Sequence, residues 1–151
     1  MNKQIIDLWI MENINKFSKE KREIIIKKMN TINEEEFSKL CQEEFKEYYS
    51  FLAISSCLGF FGIDRFLLKD NIIGTLKLSI LIITIILYDE YYNMLYFFCY
   101  LFLIIFYIYD LITIKKRIEK YNFDKMVNFF KLQKNLNNTE INNQEKQQII
   151  Y

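Results

Sequence analysis

Apolar and polar residues are sorted into blocks along this chain. From residue 1 to about 48 they alternate at helical spacing. Ile6, Trp9, Asn13 and Phe17 fall on one face, with Ile10 and Ile14 beside them, and predict a short amphipathic helix over about residues 2–16. Ser18 is placed to cap a second helix whose apolar contacts are Ile25, Ile26 and Met29. Asn33 followed by Glu34, Glu35 and Glu36 reads as a capping box, with acids at the positive end of a third helix carrying Phe37, Leu40, Cys41, Phe45 and Tyr48. Residues 1–48 are therefore expected to form a helical head with a thin core, needing support from a membrane or a partner.

Beyond Ser50 the pattern changes to three apolar segments. Phe51–Gly62 is short of the roughly 20 residues needed to span a bilayer. Ile72–Tyr88, with Lys77 inside it, is at the lower limit, and Met94–Ile114, interrupted only by Asp110, is long enough. The expected fold is an all-α integral membrane protein: a helical hairpin of two spans, plus a short first helix, with a small helical cytoplasmic head. Between a half-inserted and a spanning first helix, its shortness and Gly59 and Gly62 favour half-insertion. Tyr88, Tyr91, Tyr92 and Tyr96 at one end, and Tyr107 and Tyr109 near the other, read as interfacial belts. The division is 1–48 head, 49–114 membrane domain, 115–130 basic amphipathic helix, and 131–151 a polar tail, disordered or loosely helical.

Charge sharpens this division. Residues 1–48 carry nine Lys/Arg and ten Asp/Glu, whereas residues 72–114 carry only Lys77, Asp89, Glu90 and Asp110. The linker at Asp89 has no base, while Lys115, Lys116, Arg117 and Lys120 follow the last segment. The positive-inside rule places residue 115 onward in the cytoplasm and the Asp89–Asn93 linker outside. No signal peptide is read at the start, because Asp7 breaks the apolar stretch Ile5–Met11.

Composition narrows the chemistry. The chain has no His, three scattered Cys without a CxxC pair, and three Gly without a phosphate-binding loop. Histidine-based catalysis and most zinc sites are excluded, and no cofactor, metal or catalytic residue is predicted. A net charge of +1 offers no case for nucleic acid. The expected partners are the lipid bilayer and a protein partner or a second copy.

The most specific stretch is Leu58-Gly59-Phe60-Phe61-Gly62-Ile63-Asp64-Arg65-Phe66. An apolar helix ends at Gly and is followed by a carboxylate, a guanidinium and an aromatic ring, as at a tight turn on a membrane face. This stretch resembles the hallmark of the TM-two domain (two-transmembrane-helix) family. Leu58, Gly59, Gly62, Asp64, Arg65 and Phe66 match its first part, Gly74, Lys77 and Leu78 its second, and Asp110 its third. The start Ile6-Asp7-Leu8-Trp9-Ile10-Met11 and the run from Arg117 to Phe123 are similar to bacterial members, so the likeness covers roughly residues 4–126. Phe60 stands where the family commonly has Gly, Leu67 replaces a frequent aromatic, and Lys69 occupies a usual Gly position. The resemblance implies a multi-pass protein of the bacterial plasma membrane far more firmly than it implies any activity.

The interaction residues singled out are Gly59, Gly62, Asp64, Arg65, Phe66, Gly74, Lys77 and Asp110. An unpaired Asp at the centre of a membrane helix costs about 2.5–3.5 kcal/mol, so Asp110 is expected to pair with Arg65 or Lys77. Separate snorkelling of each charge to the interface is the alternative. Two functions are open: a non-catalytic protein that docks or scaffolds a partner through the Asp-Arg-Phe turn and the head, or a subunit of an oligomeric transporter or pore.

Overall fold

The structure, a computed structural model, describes the backbone of residues 3–88 and 93–148, and side chains up to Leu136. Among the described residues every regular element is helical. In chain order they are α1 (Lys3–Asn13), α2 (Lys19–Met29), α3 (Glu34–Cys41), α4 (Tyr48–Leu58), α5 (Ile63–Leu67), α6 (Asn71–Ile86) and α7 (Asn93–Gln148). Short 3-10 turns follow α1 (Ile14–Lys16) and α4 (Gly59–Phe61). Linker residues 89–92, with Tyr91 and Tyr92, lie outside the described residues.

The chain divides into two compact units. The first joins residues 1–45 to residues 119–151. Its core holds Ile6, Phe17, Ile25, Met29, Ile32, Phe37, Leu40 and Phe45, with Met126 and Phe129 from α7. The predicted three-helix head is thus not closed by its own residues; the support comes from the chain's own C-terminal helix. Asn122, fully buried, donates from Nδ2 to the Lys16 carbonyl at 3.0 Å, and Lys125 Nζ donates to the Glu44 carbonyl at 2.8 Å. Phe17 and Phe45 pack edge to face at 5.2 Å, a geometry that suits the aromatic quadrupole. The Asn33 capping box is formed: Glu36 N donates to Asn33 Oδ1 at 2.7 Å, and Asn33 N to Glu36 Oε2 at 3.4 Å. Ser18 stands at the N-cap of α2 without a side-chain cap bond.

The second unit is residues 46–118. Here α4, the 3-10 turn, α5 and the first part of α6 fold tightly on one another. Phe51 on α4 and Ile114 and Ile118 on α7 form a small apolar core, with Tyr48, Leu52 and Leu68 against it.

The helix limits refine the expected elements: α3 ends at Cys41, so Phe45 and Tyr48 lie beyond it. One helix, α7, runs without a break from Asn93 through residue 115 and on to Gln148, so the basic helix and the polar tail are continuous with the apolar segment. No Pro or Gly occurs between residues 93 and 148, so nothing in the backbone stops it. The second apolar helix runs from Asn71 to Ile86, 16 residues, at the lower limit of a bilayer crossing. Among the described residues one helix, Met94–Leu136, is long and apolar enough to cross a membrane; its most apolar stretch has mean hydropathy 2.2.

Candidate functional site, a buried charge cluster

The site grows from a sharp reversal of the chain after α4. Gly62 sits at φ +74°, in the left-handed region where a Cβ is strained. A Cβ there would also stand 3.0 Å from the Gly74 carbonyl oxygen. Gly62 is therefore required twice, by the turn and by the close approach of α6. A side chain at Gly74 would meet the Phe66 ring at 3.1 Å. Gly59 faces the Tyr107 ring, and Phe60 stacks on Tyr107 with centroids 4.5 Å apart.

This packing brings α5 against α6 and α7 and aims three charged groups inward. Asp110 is fully buried. Its Oδ2 accepts from Lys77 Nζ at 2.7 Å, and Lys77 is also fully buried. Its Oδ1 accepts from Arg65 Nε at 3.1 Å and from Arg65 Nη2. Asp110 thus takes both of the partners the sequence offered as alternatives. Arg65 has a further partner, donating from Nη1 to Asp70 Oδ2 at 2.9 Å. Arg117 joins the group from two turns further along α7: Nη2 donates to the Asp110 carbonyl at 2.7 Å, and Nη1 to Asp64 Oδ2 at 3.3 Å. Ser55 Oγ donates to the same Asp64 oxygen at 3.4 Å.

Three carboxylates, Asp64, Asp70 and Asp110, are matched by three cations, Arg65, Lys77 and Arg117. Burying charge is costly, and the cost is recovered only where geometry is good and remaining donors are used. Asp110 meets that condition. Asp64 meets it in part, because its buried Oδ1 has no hydrogen-bond partner, and neither has Arg117 Nε. The cluster ties α5, α6 and α7 together by directed bonds where apolar packing alone would leave rotation free.

Of the residues singled out from sequence, Asp64, Arg65, Lys77 and Asp110 meet in this cluster. Gly59, Gly62 and Gly74 provide the close packing around it. Phe66 is apart from the charges: it lies over Gly74 and is 37% exposed. Sequence reasoning missed Ser55, Asp70, Tyr107 and Arg117. Arg117 was legible as a residue seven after Asp110, hence on the same helical face. Ser55 was legible from its spacing to Gly59 and Gly62. Asp70 had no such signal, since it meets Arg65 only through the turn at Lys69. Among the described residues no three His, Cys, Asp or Glu gather as a metal site.

Compared with known proteins, the chain matches no family model, no curated protein and no solved structure.

Proposed function

We propose that this chain is a small integral membrane protein of the TM-two domain type. In this reading α6 and the apolar part of α7 form a two-span hairpin, with α4 half-inserted. The Asp89–Asn93 linker is outside and residue 115 onward is cytoplasmic, in a bacterial plasma membrane. The protein works without catalysis, docking or scaffolding a protein partner.

One observation carries the reading: in the second unit charged groups are buried while much of the apolar surface of α6 and α7 is exposed. Lys77, Asp64, Asp110 and Ser55 are fully buried, whereas Ile72, Ile86 and Ile112 are 84%, 72% and 74% exposed. Only 17% of the most apolar stretch of α7 is buried, while a core helix of a water-soluble protein is mostly buried. That inversion suits hydrocarbon, where an exposed Ile costs nothing and an unpaired charge is expensive. Tyr88 at the end of α6 is exposed, as an interfacial aromatic would be.

The interfacial turn supports docking in a restricted form. Asp64 and Arg65 are engaged internally, so a partner meeting this turn would find Phe66, Leu67 and Lys69, which are exposed. A transporter or pore subunit is less favoured, because charges paired with one another do not line an open path.

Single-Cys labelling tests the topology. In a background with Cys41, Cys57 and Cys99 changed to Ser, Cys is placed at Glu12, Lys69, Tyr88 or Lys120. An impermeant maleimide should label only the Tyr88 variant in intact cells, and all four after permeabilisation. Labelling of Lys120 in intact cells, or a protein that stays dispersed in buffer without detergent, overturns the reading.

A further inference from the structure

In the first unit a groove of about 240 Å³ opens between α2 and the stretch of α7 from Phe123 to Lys134. We propose that it receives an acidic amphipathic helix of a partner protein. The inference rests on the docking reading above and names the chemistry of the partner.

The groove's floor is apolar: Ile25 and Met126 are buried there. Its walls are Ile24, which is 56% exposed, with Val127 and Phe130. Val127 and Phe130 lie three apart on α7, and Lys131 and Lys134 continue the same face, so apolar and basic groups form adjacent stripes. The charge on the lining comes from Lys28, Lys131 and Lys134 alone. None of the three is paired with a carboxylate among the described residues. Lys28 Nζ instead stands 5.8 Å from the centre of the Phe130 ring. An adjoining hollow shares Lys28, Phe130 and Lys134 and includes Glu36, but that carboxylate is used in the α3 capping box.

An apolar cleft edged by three ammonium groups complements a helix with an apolar ridge flanked by Asp or Glu. The ridge would supply buried area, and the flanking carboxylates would supply selectivity. A bilayer surface fits less well, because a plane does not reach a floor recessed between two helices. A second copy fits less well too. Its acidic helix, α3, has already buried Phe37 and Leu40 in its own core.

The test uses the full chain in phosphatidylcholine nanodiscs. The probe is a fluorescent amphipathic peptide of about 18 residues, five helical turns, with a Leu ridge and Glu flanks. The control has the same ridge with Lys flanks. Binding of the Glu peptide should be at least about tenfold tighter than that of the control, and should weaken as salt rises. K131E/K134E, whose positions are exposed, should reverse the preference while the circular dichroism spectrum stays unchanged; Val127→Asp should weaken both peptides. Equal affinity for the two peptides, or a preference that K131E/K134E leaves intact, overturns the proposal. So does failure of the Glu peptide to bind while anionic vesicles are captured through Lys131 and Lys134. Each of these leaves the labelling result on membrane topology untouched, so loss of the groove and loss of the membrane reading are told apart.

Discussion

Asp110 is a single, fully buried carboxylate facing three cations, Arg65, Lys77 and Arg117. Its replacement by Asn keeps the shape and removes the charge. Three cations, Arg65 and Lys77 buried and Arg117 half-buried, would then share two carboxylates, one of which, Asp70, is partly exposed. Breaking a buried pair from one side costs about 3–5 kcal/mol. Asp110→Asn is expected to lose that much in thermal or denaturant unfolding of the detergent-solubilised protein. Adding Lys77→Met should return part of it, because the remaining charges balance again. An Asp110→Asn protein as stable as the parent would mean that the bonds contribute nothing net. The need for a partner at Asp110 was legible from its place in an apolar run. That both Arg65 and Lys77 would serve it, with Arg117 beside them, was not, because the three lie 45, 33 and 7 positions away and only folding measures those distances in space.

At the level of helices, the end of α5 shows where local rules meet their limit. Asp70 N donates to the Arg65 carbonyl and Lys69 N to the Phe66 carbonyl, both at 2.9 Å, which is the bonding of a Schellman helix stop. That motif puts one residue in the left-handed region, usually Gly, and here the residue is Lys69 at φ +61°. A side chain in that conformation costs roughly 1–2 kcal/mol. Lys69→Gly should therefore raise stability by about 1 kcal/mol, read from the denaturation midpoint, while Lys69→Val should lower it. A Lys69→Gly protein less stable than the parent would show that the Lys side chain has a contact worth more than the strain. The caps at Asn33 and Gly62 could be anticipated, since residue type and cap geometry agree there. The stop at Lys69 could not be read from its residue type; it is held by Asp70, whose carboxylate is bonded to Arg65 on the far side of the turn.

At the scale of the whole chain, the continuity of α7 is what matters most. One helix supplies Asp110 and Arg117 to the charge cluster and Asn122, Met126 and Phe129 to the head. Residues 1–45 bury eight core side chains, and two more come from α7, with Phe123 and Phe130 packed alongside. So small a core is marginal when any part is removed. A chain ending at Ile118 should leave residues 1–45 without protected amides in hydrogen exchange, while amides of α5 and α6 keep their protection. Full protection of the head in that truncated chain would show that its three helices suffice alone.

The helices, their apolar blocks and the capping box at Asn33 follow from neighbours a few positions apart, because spacing, cap chemistry and hydrophobic run length act locally. Which charges meet, which helix closes the head and where a Lys takes a glycine's conformation depend on residues brought together from across the chain. Those were settled by packing: buried charge is tolerated only beside its opposite, and a thin apolar face is stable only once another covers it.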